Sequence, residues 1–184
     1  QDGHAFAIPA DALSGNYRLE ASFYDPATFE TLGDIATIGW IAVTDGTEGN
    51  VPIADFGEIA LLAVSPPTIV AQPGEEAAVT LLWRANASID ANYTRFAHLV
   101  DSSGIVAAQS DAQPQDGFYP TTQWQSGIPV RDVILLQLPG DLAVGEYTLH
   151  VGLYDAESGQ RLADAHGSDS YRVLVRVGGQ ETQP

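Results

Sequence analysis

Phe118, Tyr119 and Trp124 crowd into one stretch, Pro114–Gly127 (PQDGFYPTTQWQSG), together with Asp116 and Gln123. Aromatic faces flanked by amides and a carboxylate are what sugar recognition uses. A pyranose offers C–H faces to stack on rings and a rim of hydroxyls to hydrogen-bond. Tyr119, Trp124, Gln123, Asp116 and Phe118 are therefore the candidate glycan-binding set. The segment is also long for a connection between two strands, and such loops more often carry function. The other reading, towards which the sequence leans, is that the rings plug the open end of a β-sandwich, each burying a large apolar area. Exposure of Tyr119 and Trp124 separates the two readings.

A second, weaker polar site pairs His98 with Asp111. His98 shares a strand face with Phe96 and Val100, whereas Arg95, Ala97 and Leu99 take the other, so it reads equally as a satisfied core or rim group. Asp111, Asp116 and Asp132 bear on glycosidase chemistry, which sets two carboxylates about 5–10 Å apart across a cleft. In a chain this acidic, loop carboxylates reach that spacing by chance. Asp164 and Asp169, with carbonyls of the 163–170 loop, are candidate oxygen ligands for calcium, although DAHGSDS lacks the spacing of a calcium loop. No serine stands in a nucleophile elbow, and His4, His150 and His166 are scattered without metal-ligand spacing. The reading is of a non-enzyme without a cofactor, with calcium as the one candidate ligand.

Charge narrows the partners. Seven basic residues, all arginine, against 24 acidic ones give a net charge of −17. Nucleic acids and anionic membrane surfaces reward clustered positive charge, so neither fits. There is no cysteine, which excludes disulfides and thiolate chemistry and fits a bacterial envelope protein. No apolar run approaches the ~20 residues that span a bilayer, so direct membrane insertion is not expected. The chain opens at Gln1 and reads as a segment of something longer.

The elements that would hold these residues are announced by an internal repeat. Ile8–Leu32 (IPADALSGNYRLEASFYDPATFETL) aligns without a gap on Leu138–Leu162 (LPGDLAVGEYTLHVGLYDAESGQRL), at a constant offset of 130. Pro9, Asp11, Gly15, Tyr17, Leu19, Tyr24, Asp25 and Leu32 recur as Pro139, Asp141, Gly145, Tyr147, Leu149, Tyr154, Asp155 and Leu162. Landmarks at fixed spacing mark repeated structural units. Each copy reads as a turn, a strand of period 2, and a second turn. That second turn is DAESG in the later copy, with Gly159 free to take positive φ. In the earlier copy it is DPATF, with Phe29 in the glycine's place.

An apolar strand is expected over 55–64, stopped by Ser65-Pro66-Pro67, and after it short alternating runs at Thr68–Ala71, Ala77–Arg84, Thr94–Val100, Ile105–Asp111, Val133–Leu138, Glu146–Tyr154 and Tyr171–Val177. Turn residues separate them and no helical period intervenes. The fold class is all-β, an antiparallel immunoglobulin-like sandwich over residues 60–178, with Trp83, Phe96, Leu149, Val151 and Leu153 in its core. Residues 51–59 are expected to be a linker and 179–184 a tail. Residues 1–50 hold only the C-terminal half of such a sandwich, with strands at 1–7 and 35–43 and a linker candidate at 45–50. Half a sandwich exposes an apolar face and unpaired edges, so a homodimer through residues 1–50 is expected, closed by the commonest symmetry, a two-fold.

Several strings together carry a family resemblance: YTRFAHLVDSSGIVAAQSD (Tyr93–Asp111), FYPTTQW (Phe118–Trp124), RDVILLQLP (Arg131–Pro139) and GEYTLHVGLYDAESGQRL. Over about 61–177 the chain resembles the extracytoplasmic β-sandwich repeat module of bacterial membrane proteins, often attached to predicted dolichyl-phosphate-mannose-type glycosyltransferases. The earlier copy departs from it at Ser22 and Phe29. The resemblance implies a non-catalytic module, extracytoplasmic, at the cell envelope or surface, and part of a larger protein. The function expected is an accessory module contacting glycan near a membrane-bound glycosyltransferase. The alternative is a structural spacer or protein-protein assembly module. Partners are accordingly a glycan or the parent membrane enzyme.

Overall fold

The computed structural model describes residues 8, 15–43 and 51–178, less the side chains of residues 15, 40 and 42. The expected strand at 1–7, the linker candidate at 45–50 and the tail at 179–184 lie outside the described residues. The chain divides into two units, Gln1–Glu48 and Gly49–Pro184.

In the first unit, β1 (Gly15–Tyr24) and β2 (Thr31–Val43) form an antiparallel pair. Its turn repeats the later copy bond for bond. Asp25 N–H donates to Glu30 O at 2.9 Å and Phe29 N–H to Asp25 O at 2.8 Å, as Asp155 N–H does to Gln160 O at 2.9 Å and Gly159 N–H to Asp155 O at 2.8 Å. The Asp25 carboxylate accepts the Ala27 N–H at 2.7 Å, and Asp155 accepts the Glu157 N–H at 2.8 Å. Phe29 takes φ +60 where Gly159 takes +71, a left-handed conformation that costs a side chain about 1–2 kcal/mol. Its ring stacks on Tyr24 at 6.1 Å and 10°, which offsets part of that cost.

The second unit is a β-sandwich. One sheet has the order β5 (Thr68–Ala71), β11 (Tyr171–Val177), β10 (Gly145–Asp155), β7 (Tyr93–Val100) and β8 (Val106–Ala112). The other has the order β3 (Ala54–Asp55), β4 (Ile59–Ser65), β6 (Glu76–Ala85) and β9 (Pro129–Gln137). All pairings are antiparallel except β5 with β11. Alternation builds the core between the sheets. Val79, Leu81 and Trp83 of β6 and Ile134 and Leu136 of β9 are buried, as are Leu99 of β7 and Leu149, Val151 and Leu153 of β10. Leu149→Ala is expected to destabilise the unit by about 2–5 kcal/mol in urea unfolding, through lost transfer energy and a cavity. A loss below about 1 kcal/mol would show the face misassigned.

Three expectations change here. Residues 51–59 are not a linker: β3 and the start of β4 pair within the sandwich, and Phe56 is buried against Trp83, ring centroids 6.5 Å apart. The strand expected from Val133 begins at Pro129. Pro129 lacks a ladder N–H, and β9 tolerates it because it is an edge strand, paired only to β6. Phe96 is buried, but on the far side of its sheet from the inter-sheet core. A Cβ added to Gly152, its cross-strand neighbour, would fall 2.6 Å from the Phe96 ring, so the ring lies over the glycine on the outer face.

Candidate functional site

The chain crosses from β8 in one sheet to β9 in the other through residues 113–128, and this crossing holds the candidate glycan set. Thr121 anchors it: its hydroxyl donates to Ala91 O at 2.6 Å and accepts the Tyr93 N–H at 2.9 Å. The Trp124 indole N–H donates to Tyr119 O at 2.8 Å, and the two rings lie 6.4 Å apart, tilted at 38°. Tyr119 is 2% exposed and Trp124 4%. Of the two readings of these rings, their burial fits the plug towards which the sequence leans and not an exposed platform: they close the sandwich end. Burial also pushes the Tyr119 hydroxyl above its ordinary pKa. Phe118, Gln123 and Asp116 are exposed, but without the two buried rings they form no stacking surface.

Beneath this crossing lies a charged pair that the sequence reading missed. Arg95 of β7 and Asp132 of β9 both point between the sheets, 2% and 0% exposed. Arg95 Nε stands 3.0 Å from Asp132 Oδ2, an ionic contact whose angles do not close a hydrogen bond. Arg95 Nη1 donates to Ser110 O at 3.1 Å. Asp132 Oδ1 accepts the Gln115 N–H at 2.7 Å, and the Gln115 side-chain amide donates to Arg131 O at 2.7 Å. These bonds hold Gln115 and Asp116 in consecutive left-handed conformations, φ 53 at each, a strained arrangement for side-chain-bearing residues. Burial pushes the Asp132 carboxyl above the usual carboxylate range, against the pull of Arg95. A signal existed: Arg95 alternates with Ala97 and Leu99, and Asp132 with Val130, Ile134 and Leu136. A charge at an inward position on each of two strands in opposite sheets invites pairing.

The weaker site is brought together on the outer face of the five-stranded sheet. His98 Nε2 lies 3.0 Å from Asp111 Oδ1. Burial first, then the Asp111 carboxylate, raise the hydroxyl pKa of nearby Tyr154. Phe96 underlies the group, its ring 5.0 Å from His98 and capped by the Arg161 guanidinium at 4.1 Å. Arg161 is held in turn by Asp169 at 2.9 Å. His150, opposite His98 in the ladder, contacts Ser170 Oγ at 3.3 Å. Burial and the nearby Arg172 lower its pKa. Beside it an open depression of about 560 Å³ is lined by Gly167, Ser168, Asp169, Ser170, Tyr171 and Arg172.

Asp111 is on this outer face and Asp132 lies between the sheets, so they flank no common cleft. The calcium candidates are committed elsewhere. Asp164 Oδ1 accepts the N–H groups of His166 and Ser168, each at 2.8 Å, and backbone bonds of this kind hold its carboxyl below the usual range. Asp169 serves Arg161. Among the described residues no three His or acidic side chains cluster as a metal site would need.

No protein-family model matches the chain, and no curated protein does. Solved structures match about two thirds of the chain at low similarity. The C-terminal domain of Wzt matches at 13% identity and TM-score 0.41, over 67% of this chain and 75% of that one. The CARDB domain of a Pyrococcus furiosus protein, solved with di-metal ions, matches at 12% identity and TM-score 0.37, over 67% and 97%. A β-glucuronidase of glycoside hydrolase family 2 matches at 13% identity and TM-score 0.42; the chain spans 11% of its length.

Proposed function

We propose that this chain is a non-catalytic structural module, a spacer and assembly unit of a larger envelope protein, and not a glycan receptor. The observation that carries the reading is the burial of Tyr119 and Trp124. The rings that would have stacked on a sugar are spent on closing the sandwich. Its extracytoplasmic placement and a parent membrane glycosyltransferase rest on the sequence resemblance over about 61–177. An immunoglobulin-like arrangement is supported by three features. The chain switches sheets between β4 and β5, and β5 lies parallel to β11. The third is a tyrosine corner: the Tyr147 hydroxyl donates to Ala143 O at 2.9 Å, four residues upstream.

The test is an array of bacterial envelope glycans probed with the wild-type chain. No specific binding is expected. Specific binding that Phe118→Ala or Gln123→Ala abolishes would restore the accessory glycan-binding reading.

A further inference from the structure

The repeat makes β1 the counterpart of β10. On β10 the inward residues Tyr147, Leu149, Val151 and Leu153 are all at most 8% exposed, covered by the four-stranded sheet. Their counterparts on β1 are Tyr17, Leu19, Ala21 and Phe23. Phe23, at the position of Leu153, is 82% exposed, and Leu32, its partner across the hairpin, is 57% exposed. The opposite face of β1 is mixed, with Arg18 and Glu20 paired at 2.7 Å and Tyr24 stacked on Phe29 at the turn. β10 is flanked by β7 and β11, whereas β1, among the described residues, is flanked by β2 alone. An apolar face and a free edge thus stand where the complete unit has a facing sheet and a neighbouring strand.

We infer that the β1–β2 hairpin is the closing half of a further sandwich, and that its apolar face is the docking surface for the first half of that sandwich, lying ahead of it in the same polypeptide. This partner has a sheet face of alternating branched apolar residues, like that of β4, β6 and β9. It also has a strand placed like β7, paired on one side as β7 is with β8 and open on the other to pair with β1 as β7 does with β10. The inference rests on the spacer reading above.

Two observations favour this source over a second copy of the chain. The four-stranded sheet of each copy is already filled by that copy's own β10 and β11. The repeat also continues upstream of the hairpin: Ile8, Phe6 and His4 stand at the positions of Leu138, Leu136 and Ile134, so the sequence ahead of β1 keeps the alternation with which β9 ends. One difference constrains the partner. Ser22 replaces Gly152, over which the Phe96 ring lies with no room for a Cβ, so the partner's β7-like strand carries a smaller residue at that position.

The test fuses a second copy of residues 51–138 directly ahead of Pro9 of the chain, reproducing the Leu138–Pro139 junction, with Ser22→Gly to admit the Phe96 ring. Amide hydrogen exchange of Leu19–Phe23 is expected to slow by about 100-fold or more relative to the unfused chain, as a fraying element becomes part of a cooperative unit. The unfused chain is expected to sediment as a monomer. Unchanged exchange in the fusion overturns the inference. So does an unfused dimer that Phe23→Asp converts to monomer, since a second copy would then be the cover. Neither result bears on the glycan array, so failure here and failure of the spacer reading are told apart.

Discussion

Trp124→Ala is expected to lower the unfolding free energy of the sandwich unit by about 3–5 kcal/mol, the range for emptying a buried indole site. The ring is 4% exposed, contacts Tyr119, and its N–H satisfies the Tyr119 carbonyl. Truncation therefore opens a cavity and also leaves a buried acceptor unpaired, which adds to the cost. Gln123→Ala, one residue away on the exposed side of the same crossing, is expected to stay within about 0.5 kcal/mol of wild type. Urea unfolding followed by far-ultraviolet circular dichroism measures both. A Trp124→Ala loss below about 1 kcal/mol would mean that the ring contributes little to packing, and the platform reading would return.

Asp132→Ala is expected to cost about 3–5 kcal/mol, because it leaves the Arg95 guanidinium between the sheets without its buried counter-ion, with only the exposed Asp116 carboxylate at 4.0 Å. It also releases the Gln115 N–H that keeps the strained turn in place. The double replacement Arg95→Met with Asp132→Leu is expected to recover most of that loss, since replacing a buried pair with apolar residues of similar volume is often neutral or better. The sign of the Asp132 shift agrees. Its folded pKa stands above its unfolded one, burial outweighing Arg95. Its contribution is therefore fully present below the unfolded pKa and is lost as pH rises through the folded value. The double variant should lack that component of the pH dependence. A double variant no more stable than Asp132→Ala would show that the pair is favourable in its own right.

Alternation along the chain made most of the strands legible. Thr68–Ala71 and Tyr171–Val177 are read to the residue, because each is a clean run ended by a glycine or proline turn. Period 2 reports which residues share a face, but not what covers that face. Phe96 was therefore assigned to the inter-sheet core, although it is buried by Arg161 and its neighbours on the other side. The same gap hid Asp132, whose charge made Pro129–Asp132 look like loop rather than strand. Tyr119 and Trp124 were visible as a cluster, yet their burial depends on Thr121 tying the crossing to Ala91 and Tyr93, a contact between segments far apart in sequence. His98 and Asp111 were paired correctly, since the ladder of β7 with β8 follows from a short hairpin. The run read as one strand over 55–64 is broken by a turn, Phe56 N–H to Ile59 O at 3.0 Å, because β3 is two residues long, too short for any period to register.

The parallel pairing of β5 with β11 bears on how such a unit behaves under tension. One strand comes early in the sandwich and the other ends it, and they run in the same direction, with Leu174, Val175, Arg176 and Val177 aligned on Thr68, Ile69, Val70 and Ala71. A pull on the two ends of the unit would draw these strands past each other along their length, loading their hydrogen bonds in shear together instead of peeling them one by one. A unit built this way would meet extension at the β5–β11 seam, once β3 and β4, which precede β5 in the chain, have carried the load to it.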